Sequence, residues 1–492
     1  MRNYLTPLIE VQRLFIPALL LLLLWAFWRT VVRKDFAAGL ALYLGLVVVV
    51  DCFLNTGIYI PGLDKGSIRY SECFALILLF TRPPAPQRRS PYRAVQGLVY
   101  GYFLLLGLSV FRSESVVSAV FEFRTNIIPQ IVAFTVARRG LRSAEDFRRF
   151  LLWLTALTFF IAIFDFWDVF FDRWILKSDM LDKPIYAHTR QLNRFGSIFL
   201  NPNYLGAFIV LVFPATFIWI LNEKRTWQRV CAGVSVLLMI FCLVETQSRG
   251  PLLAFGISIP LLMMGPCGGV SRKRRIAMLG FCCAVFLAVM PGFINRAIER
   301  FDQIQTETAE GRSRETTWRY TLRIIGDHPL IGIGFGEAQF TETLIDYGFE
   351  SEFGVKALDA PHNAYLQAAV YAGVPALLVF LLANLILLGK AFISSFGASA
   401  SQYTSTTFGL AVGIVGFLTS VFTDLQLFTP STAPAYWIFF ALLLSFLTTA
   451  PHPSASPVAD RPHGAKPLVP PRRNGPLPLP MPSARPERGG GR

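Results

Sequence analysis

Charged residues and cysteines are both scarce in this sequence. Only 16% of the 492 residues are charged, and Asp and Glu together number 31 against 46 Lys and Arg. The seven cysteines form no CxxC pair, so the sequence lends no support to a zinc site or a disulfide framework. A water-soluble enzyme domain normally carries more charge, and nothing in the composition indicates one.

Apolar residues are abundant instead, at 53% of the chain, and 14% of the residues are aromatic. This composition is typical of a chain whose main solvent is lipid. A bilayer core needs about 20 apolar residues per helix, so the sequence predicts an all-α polytopic membrane protein with about 12–13 transmembrane helices. The predicted spans begin near Leu14, Phe36, Tyr70, Val95, Ile127, Phe150, Ser197, Val230, Leu252, Ile276, Ala364, Thr406 and Ala433.

Two details of this count stay open. The lower number applies if one short stretch, Cys73–Phe80 or Ile127–Val136, is re-entrant or merged with a neighbour. The first span, Leu14–Trp28, is predicted to be retained, because no small-residue cleavage site of a signal peptide follows it.

Lys and Arg are concentrated in alternate loops, which predicts that those loops are cytoplasmic. The basic loops contain Arg29, Arg33 and Lys34; Arg82, Arg88, Arg89 and Arg93; Arg138, Arg139, Arg142, Arg148 and Arg149; Lys224, Arg225 and Arg229; and Arg272, Lys273, Arg274 and Arg275. The loops predicted to lie outside are Asn55–Arg69, Arg112–Asn126, Asp165–Gly196, Gln247–Gly250 and Gly292–Asn363. Strict alternation over the higher count also puts the N-terminus outside.

The predicted spans divide the chain into four parts. Residues 1–291 hold the N-terminal transmembrane helices, residues 292–363 form a large outside loop, and residues 364–449 hold the C-terminal transmembrane helices. Residues 450–492 are rich in proline and in basic residues, which predicts a disordered cytoplasmic tail. A tail without essential function is favoured, and attraction to anionic lipid headgroups is the alternative. The large loop is where function is expected, because loops of that length usually carry it or are disordered.

An amphipathic helix is predicted in the large loop between Arg312 and Gly326. Three apolar residues recur there at helical spacing and form one stripe: Trp318, Leu322 and Ile325. Arg314 lies at the head of this stripe, and Arg312, Arg319 and Arg323 lie on the opposite face. On a helix at the membrane surface, Arg314 would point toward the lipid boundary. The alternative is that Arg314 only snorkels, with its stem on apolar surface and its head in water.

Arg249 is predicted at a tight outside connection, where Gly250 and Pro251 end one helix and start the next. The planar guanidinium of arginine is well matched to phosphate groups. A structural role is equally open, because Glu245 lies four residues earlier and would pair with Arg249 on a continuous helix.

His362 precedes Asn363, a favourable N-cap residue for the apolar helix that begins at Ala364. The positive end of the helix disfavours a second positive charge, so the imidazole is expected to stay neutral. A neutral imidazole can accept a proton from a hydroxyl group. A single histidine is more often structural than catalytic, and that alternative is open from the residues alone.

The run from Arg314 through Trp318 and His328-Pro329 to LIGIGFG, followed by PHNAY, resembles the O-antigen ligase and O-antigen polymerase superfamily of bacterial inner membranes. TQSRG and RFGSIFLNPNYLG resemble the upstream motifs of the same superfamily, so the resemblance covers about residues 190 to 390. The chain departs from that pattern in its long Pro-rich tail and in an extra first helix.

The resemblance implies a glycosyltransferase whose active site faces the periplasm. Arg249 and Arg314 would bind the diphosphate of an undecaprenyl diphosphate-linked glycan, and His362 would activate the acceptor hydroxyl. Asn203 would shape the cavity. Asn203 and Asn363 would both contribute to substrate binding. No metal, cofactor or nucleic acid is expected, because two arginines can neutralise the leaving group and no Asp-x-Asp motif is evident outside.

Several functions remain open on the sequence alone. A ligase would use a lipid A-core acceptor and is favoured, because the arginine-bearing helix of the large loop suits an acceptor rich in phosphate. A polymerase would use another lipid-linked unit, and a protein O-oligosaccharyltransferase would use a Ser or Thr. A transporter or flippase is the alternative from a different class, with arginines lining an anion path, although no internal repeat is visible.

Overall fold

The computed structural model describes residues 21–53, 58–59, 67–81, 92–141, 144–171, 196–266, 271, 273–288, 314–350, 358–397 and 402–449. All of these residues belong to one compact unit that spans residues 1–449. The predicted tail at residues 450–492, the start of the predicted first span and Arg312 lie outside the described residues.

Helices make up nearly all of the described structure. They are α1 (Leu21–Val32), α2 (Phe36–Gly45, continued by a π-helix at Leu46–Phe53), α3 (Tyr70–Thr81), α4 (Arg93–Val110), α5 (Val116–Asn126), α6 (Ile128–Gly140), α7 (Ala144–Phe171), α8 (Pro202–Asn222), α9 (Thr226–Glu245), α10 (Arg249–Met264), α11 (273–288), α12 (Arg314–Asp327), α13 (Glu337–Asp346), α14 (Ala364–Gly397), α15 (Gln402–Ser420) and α16 (Ala433–Thr449). One antiparallel pair of two-residue strands, β1 (Ile58–Tyr59) and β2 (Ser67–Ile68), stands between α2 and α3.

Six of the helices in the described part are long and apolar enough to cross a membrane. They are Arg93–Val110, Glu145–Phe166, Pro202–Asn222, Thr226–Glu245, Ala364–Phe396 and Thr404–Thr423. Five shorter apolar helices accompany them: Leu21–Val32, Phe36–Asp51, Tyr70–Thr81, Arg249–Met264 and Ala433–Thr448. The prediction of an all-α polytopic membrane protein is therefore confirmed, and the count of about 12–13 spans stays a prediction.

Helix α8 forms the centre of the described bundle, with nearly every residue buried. It packs against α9, α10 and α15. Glycines let α15 approach closely, because a Cβ at Gly413 would lie 2.2 Å from the backbone oxygen of Leu211 and one at Gly416 would lie 2.4 Å from Val210. Small residues at such contacts are the usual means of close helix packing in lipid.

Helix α14 is broken one-third of the way along its length. Gly373 has non-helical dihedrals, with φ of +83°, and Pro375 follows it. Residues 329–334 fill the break, because the amide of Val374 donates to the carbonyl of Pro329 at 2.7 Å and the amide of Ile333 donates to the carbonyl of Val370 at 2.8 Å. The first part of α14, which follows His362, is thus fastened to the large loop rather than continuous with the rest of the helix.

The large loop contains α12 and α13, and α12 lies where the sequence predicts an amphipathic helix. Helix α13 starts where the carboxylate of Glu122, on α5, accepts hydrogen bonds from the amide of Glu337 at 3.0 and 3.2 Å. The hydroxyl of Ser113 donates to the carbonyl of Phe335 at 2.6 Å. The described part of the loop is therefore fastened to the α4–α5 corner.

Candidate active site

The connection between α15 and α16 carries the centre of the site, Asp424. Two short 3₁₀ turns, Val421–Thr423 and Gln426–Phe428, flank it. The Asp424 side chain is only 3% exposed, and three polar side chains from other elements reach it. Nδ1 of His362 lies 3.2 Å from Oδ1, the Asn203 amide donates to Oδ2, and NH2 of Arg314 lies 4.0 Å from Oδ2.

These partners set the charge state of Asp424. Burial by itself raises the pKa of a carboxyl group, because it disfavours the ionised form. The hydrogen bond and charge of His362, the charge of Arg314 and the hydrogen bond from Asn203 act in the opposite direction, and the net pKa of Asp424 lies below its ordinary value of 3.8. The carboxylate is consequently ionised at neutral pH, inside a shell of donors.

His362 is held in an unusual backbone conformation, with φ of +49°. Non-glycine residues adopt this left-handed region rarely and often at functional sites. The following residue stabilises the conformation, because Oδ1 of Asn363 accepts from the amides of Tyr365 and Leu366 at 3.0 and 3.1 Å. The prediction that Asn363 caps α14 is confirmed, and its side chain is buried in that role.

Arg314 is the first described residue of α12, and its side chain is 45% exposed. NH1 donates to the carbonyl oxygen of Thr423, next to Asp424. The guanidinium therefore turns to the α15–α16 connection, and its predicted direction toward the lipid boundary stays a prediction. The buried row of α12 is Thr317, Thr321 and Ile324, whereas Leu322 is 57% exposed. The predicted apolar stripe therefore lies one residue C-terminal to the buried row. The shift arises because two of the positions that face the bundle are threonines, which an apolar pattern does not detect.

Trp318 joins the helix of Arg314 to the turn of His362. Its indole Nε1 donates to the carbonyl of Pro361 at 2.7 Å, immediately before His362. Its ring meets Phe422 edge to face at 5.5 Å. Trp318 thus connects the large loop with both chain segments that carry Asp424 and His362.

Asn203 lies in the first turn of α8. It makes more hydrogen bonds than its predicted role of shaping the cavity requires. Its side chain donates to Asp424, and its Oδ1 accepts from the hydroxyl of Ser248 at 2.6 Å. Its backbone carbonyl accepts from Nε2 of Gln426 at 3.3 Å. Asn203 therefore holds three elements together: α8, the turn before α10 and the α15–α16 connection.

Arg249 is the first residue of α10, and its side chain is exposed. The residues on either side of it belong to the site, because Ser248 bonds Asn203 and Gly250 packs against Thr423. A Cβ at Gly250 would lie only 2.0 Å from Oγ1 of Thr423. The backbone thus presents the Arg249 guanidinium at the edge of the cluster, although its side chain joins none of the hydrogen bonds or ion pairs found among the described residues.

The structural alternative for Arg249, an ion pair with Glu245 on one helix, is not what the chain adopts. Helix α9 ends at Glu245, and Gln247 has φ of +49° before α10 begins at Arg249. The helix break therefore comes three residues earlier than Gly250 and Pro251 predict. It removes the i, i+4 geometry that such a pair needs.

Asp424 is the residue that the sequence reading missed. A signal was present, because Asp424 is the only Asp, Glu, Lys or Arg between Lys390 and Asp460. An ionisable residue surrounded by membrane-spanning sequence indicates a functional site by default. In the described part of the chain, no three His, Cys, Asp or Glu side chains are grouped so that they could hold a metal ion.

The segment that joins α9 to α14 contains four of the predicted site residues, and a known family matches it. Residues 234–381 match the O-antigen ligase family. The match is to the family model described as O-Antigen ligase, and it confirms the resemblance read from the motifs. A comparison with curated proteins gives no match.

The O-antigen ligase match covers less than a third of the chain. It includes Arg249, Arg314, His362 and Asn363, and it includes neither Asn203 nor Asp424. The match supports a membrane-embedded glycan transferase of the ligase or polymerase type that acts on lipid-linked glycans. The fold supplies the two further residues, because α8 and the α15–α16 connection deliver them to the same cluster.

Proposed function

We propose that this protein transfers a glycan from undecaprenyl diphosphate to an acceptor hydroxyl at the periplasmic face of the bacterial inner membrane. The observation that carries the proposal is the convergence of His362, Arg314 and Asn203 on Asp424. The acceptor we favour is a sugar of the lipid A-core. The family match supports the reaction class, and the roles of the individual residues are the proposal.

His362 acts as the general base. Its Nδ1 donates to the Asp424 carboxylate, 3.2 Å away, which leaves Nε2 as the nitrogen with a free lone pair. The His362 side chain is 31% exposed, so an acceptor hydroxyl can reach it. Asp424 is a positioning residue that fixes the tautomer and stabilises the imidazolium once the proton has moved.

Arg249 and Arg314 bind the diphosphate of the donor. Both side chains are exposed next to a buried carboxylate cluster, so their charges are available to a ligand. Bidentate contacts between guanidinium and phosphate oxygens suit a diphosphate. As the leaving group gains negative charge in the transition state, the two arginines stabilise that charge and no metal ion is required.

The bond changes balance without a further reactant. The acceptor oxygen forms a bond to the anomeric carbon as its proton passes to Nε2 of His362. The bond between that carbon and the diphosphate oxygen breaks, and undecaprenyl diphosphate leaves with the electron pair. Attack in line with the leaving group inverts the configuration at the anomeric carbon.

The direct test is transfer by purified protein in detergent from an undecaprenyl diphosphate-linked glycan to a lipid A-core acceptor, with EDTA present and no nucleotide. We expect His362→Ala, Arg314→Ala and Arg249→Ala each to reduce turnover by about 10²-fold or more. Normal folding is checked by the thermal midpoint. Full turnover by the three variants would refute the assigned roles, and wild-type transfer abolished by EDTA would refute the metal-free reaction.

Two residues provide matched controls. Arg319 is an exposed arginine on the same helix as Arg314, and His328 is a partly exposed histidine at the end of that helix. Arg319→Ala and His328→Ala remove the same chemical groups outside the cluster, so we expect turnover close to that of wild type.

The acceptor is tested in cells. In a strain that lacks the protein, long lipid-linked polymer accumulates if the protein is a ligase, whereas single repeat units accumulate if it is a polymerase. Polymer accumulation supports the ligase proposal, and accumulation of single units replaces it with the polymerase.

A further inference from the structure

Two exposed apolar surfaces begin beside the two arginines of the candidate active site. The first is Phe422, whose ring is 52% exposed although its neighbours in the chain are buried or part of the cluster. Phe422 lies in the last turn of a membrane-spanning segment, Thr404–Thr423, and directly precedes the carbonyl that accepts from Arg314. A large exposed phenyl ring next to an exposed guanidinium needs a ligand or lipid to cover it.

The second apolar surface runs down α10 from Arg249. Leu253 and Ile257 follow at i+4 and i+8, so they share the exposed face of the helix with Arg249. Leu253 is 61% exposed and Ile257 is 37% exposed. Gly256 lies on the same side, and a Cβ there would have no neighbour within 4 Å, so the face is open as well as apolar.

The two surfaces start from one point of contact. Gly250, which follows Arg249, packs directly on Thr423, which follows Phe422. One end of the combined surface is cationic, and the rest, on Phe422 and along α10, offers only hydrocarbon. A ligand that complements it carries phosphate bonded directly to a long hydrocarbon chain.

We propose that Phe422 and the Leu253–Ile257 face of α10 bind the prenyl chain of the lipid diphosphate donor. This inference rests on the proposed function and adds the part of the donor that the cluster itself does not contact. The diphosphate lies between Arg249 and Arg314, and the first isoprene units leave it across Phe422 and descend along α10. Trp318, packed edge to face at 5.5 Å, holds the Phe422 ring in place.

A sugar ring is the other ligand that an aromatic side chain could cover, and the surroundings favour the prenyl chain. Sugar hydroxyls need hydrogen-bond partners, and the side chains of Leu253 and Ile257 offer none. Both belong to an apolar helix, and Phe422 ends a membrane-spanning one, so the surface continues toward the lipid. Prenyl binding therefore predicts an effect on the carrier lipid alone, without any glycan attached.

The test measures binding of glycan-free undecaprenyl diphosphate to the detergent-solubilised protein, with inorganic diphosphate as the charge-only probe. We expect Phe422→Ala and Leu253→Ser each to weaken undecaprenyl diphosphate binding by about tenfold, because each removes apolar contact area. Neither variant should change competition by inorganic diphosphate. Arg314→Ala should weaken both probes.

Phe396→Ala and Leu385→Ala are the matched controls, since Phe396 is 57% exposed and Leu385 is 70% exposed on α14, away from the cluster. Both controls should bind undecaprenyl diphosphate as wild type does. Leu253→Ser lies on a different helix from Phe422, so it keeps the test decisive if Phe422→Ala does not fold.

The outcomes separate this inference from the proposed function. If wild type binds undecaprenyl diphosphate and the Phe422 and Leu253 variants bind it equally well, the inference is wrong and the proposed function stands. If those variants lose only glycan-loaded donor, the surface binds sugar and the inference is wrong. If wild type binds no undecaprenyl diphosphate, the proposed function itself is refuted.

Discussion

Two buried carboxylates, Asp424 and Glu223, each have an arginine neighbour and yet are arranged for different purposes. Glu223 is 5% exposed and accepts from Arg148 at 3.1 Å, from the indole of Trp219 at 3.1 Å and from two backbone amides at 3.0 Å. Its arginine also donates to Gln228 and is 26% exposed. Asp424 is just as buried, but its arginine is 45% exposed and 4.0 Å away.

The two clusters differ in whether the partners of the carboxylate can still bind a ligand. Around Glu223, the guanidinium of Arg148 already contacts the carboxylate and Gln228, so this cluster has a structural role. Around Asp424, Arg314 and His362 each keep donors or a lone pair that face outward. A buried carboxylate marks a functional site when its partners remain available to a ligand.

The largest effect we expect comes from Asp424→Asn. The amide keeps the volume of the carboxyl group but no longer fixes the His362 tautomer or stabilises the imidazolium, so turnover should fall by about 10²–10⁴-fold. The measurement is glycan transfer by purified protein, with the thermal midpoint recorded alongside. Glu223→Gln should instead lower the midpoint and leave turnover per folded molecule unchanged. Equal losses of turnover in the two variants would contradict the contrast between the clusters.

Gly373→Ala should cost about 3 kcal/mol of stability. A Cβ at this position would lie 2.3 Å from the backbone carbonyl oxygen of Leu330, and the residue has φ of +83°. Gly389 provides the control on the same helix, because a Cβ there meets nothing within 4 Å. Gly389→Ala should be neutral or slightly stabilising. Chemical unfolding in detergent measures both, and similar values for the two would rule out a clamped break in α14.

Replacing Arg148 or Arg314 by alanine should affect stability and turnover differently in the two clusters. Arg148→Ala leaves the buried Glu223 charge without its ion pair, and we expect a loss of about 2 kcal/mol in the free energy of unfolding. Arg314→Ala should lose less than about 1 kcal/mol, because an exposed arginine at this distance stabilises little. Its turnover should nevertheless fall, while that of Arg148→Ala should not. The contrast fails if Arg314→Ala is the less stable of the two.

The smallest expected effect is on the pH dependence of stability. Burial opposes ionisation of Glu223, but the amide of Arg225, the charge of Arg148 and further hydrogen bonds outweigh it, so the pKa lies below its ordinary value of 4.5. A lowered pKa in the folded state stabilises the protein above that value, and the contribution is lost as the pH falls. Glu223→Gln should therefore make the stability less sensitive to acid. Thermal midpoints of both proteins between neutral pH and pH of about 3 measure the difference.

The sequence supports the fold class well, because runs of apolar residues identify helices in lipid whatever their neighbours. It also indicates Arg249, Arg314 and His362, each through a local signal such as a helix start. The structure brings Arg314, His362 and Asn203 into contact with one carboxylate and places Arg249 at the edge of the cluster. Their catalytic and binding roles remain proposals.

Other parts of the site depend on contacts between residues that are far apart in the sequence. Asp424 lies in no helical pattern of its own, and its partners come from α8, α12 and the turn before α14. The buried face of α12 also escapes apolar periodicity, because it contains the polar residues Thr317 and Thr321. The hydroxyl of Thr321 donates to the carbonyl of Thr317 within the helix. Convergence of distant segments on one side chain is a tertiary property that a single sequence does not encode in its spacing.

The break at Gly373 has a consequence for how the protein fits membranes of different thickness. In an uninterrupted helix, one added residue turns everything beyond it by about 100°. Here the part of α14 after Gly373 ends at a junction clamped by residues 329–334, and His362 lies on the far side of that junction. Lengthening or shortening the part of α14 after Gly373 therefore leaves the orientation of the His362 imidazole unchanged. The length of this membrane-spanning part can vary without changing the candidate active site.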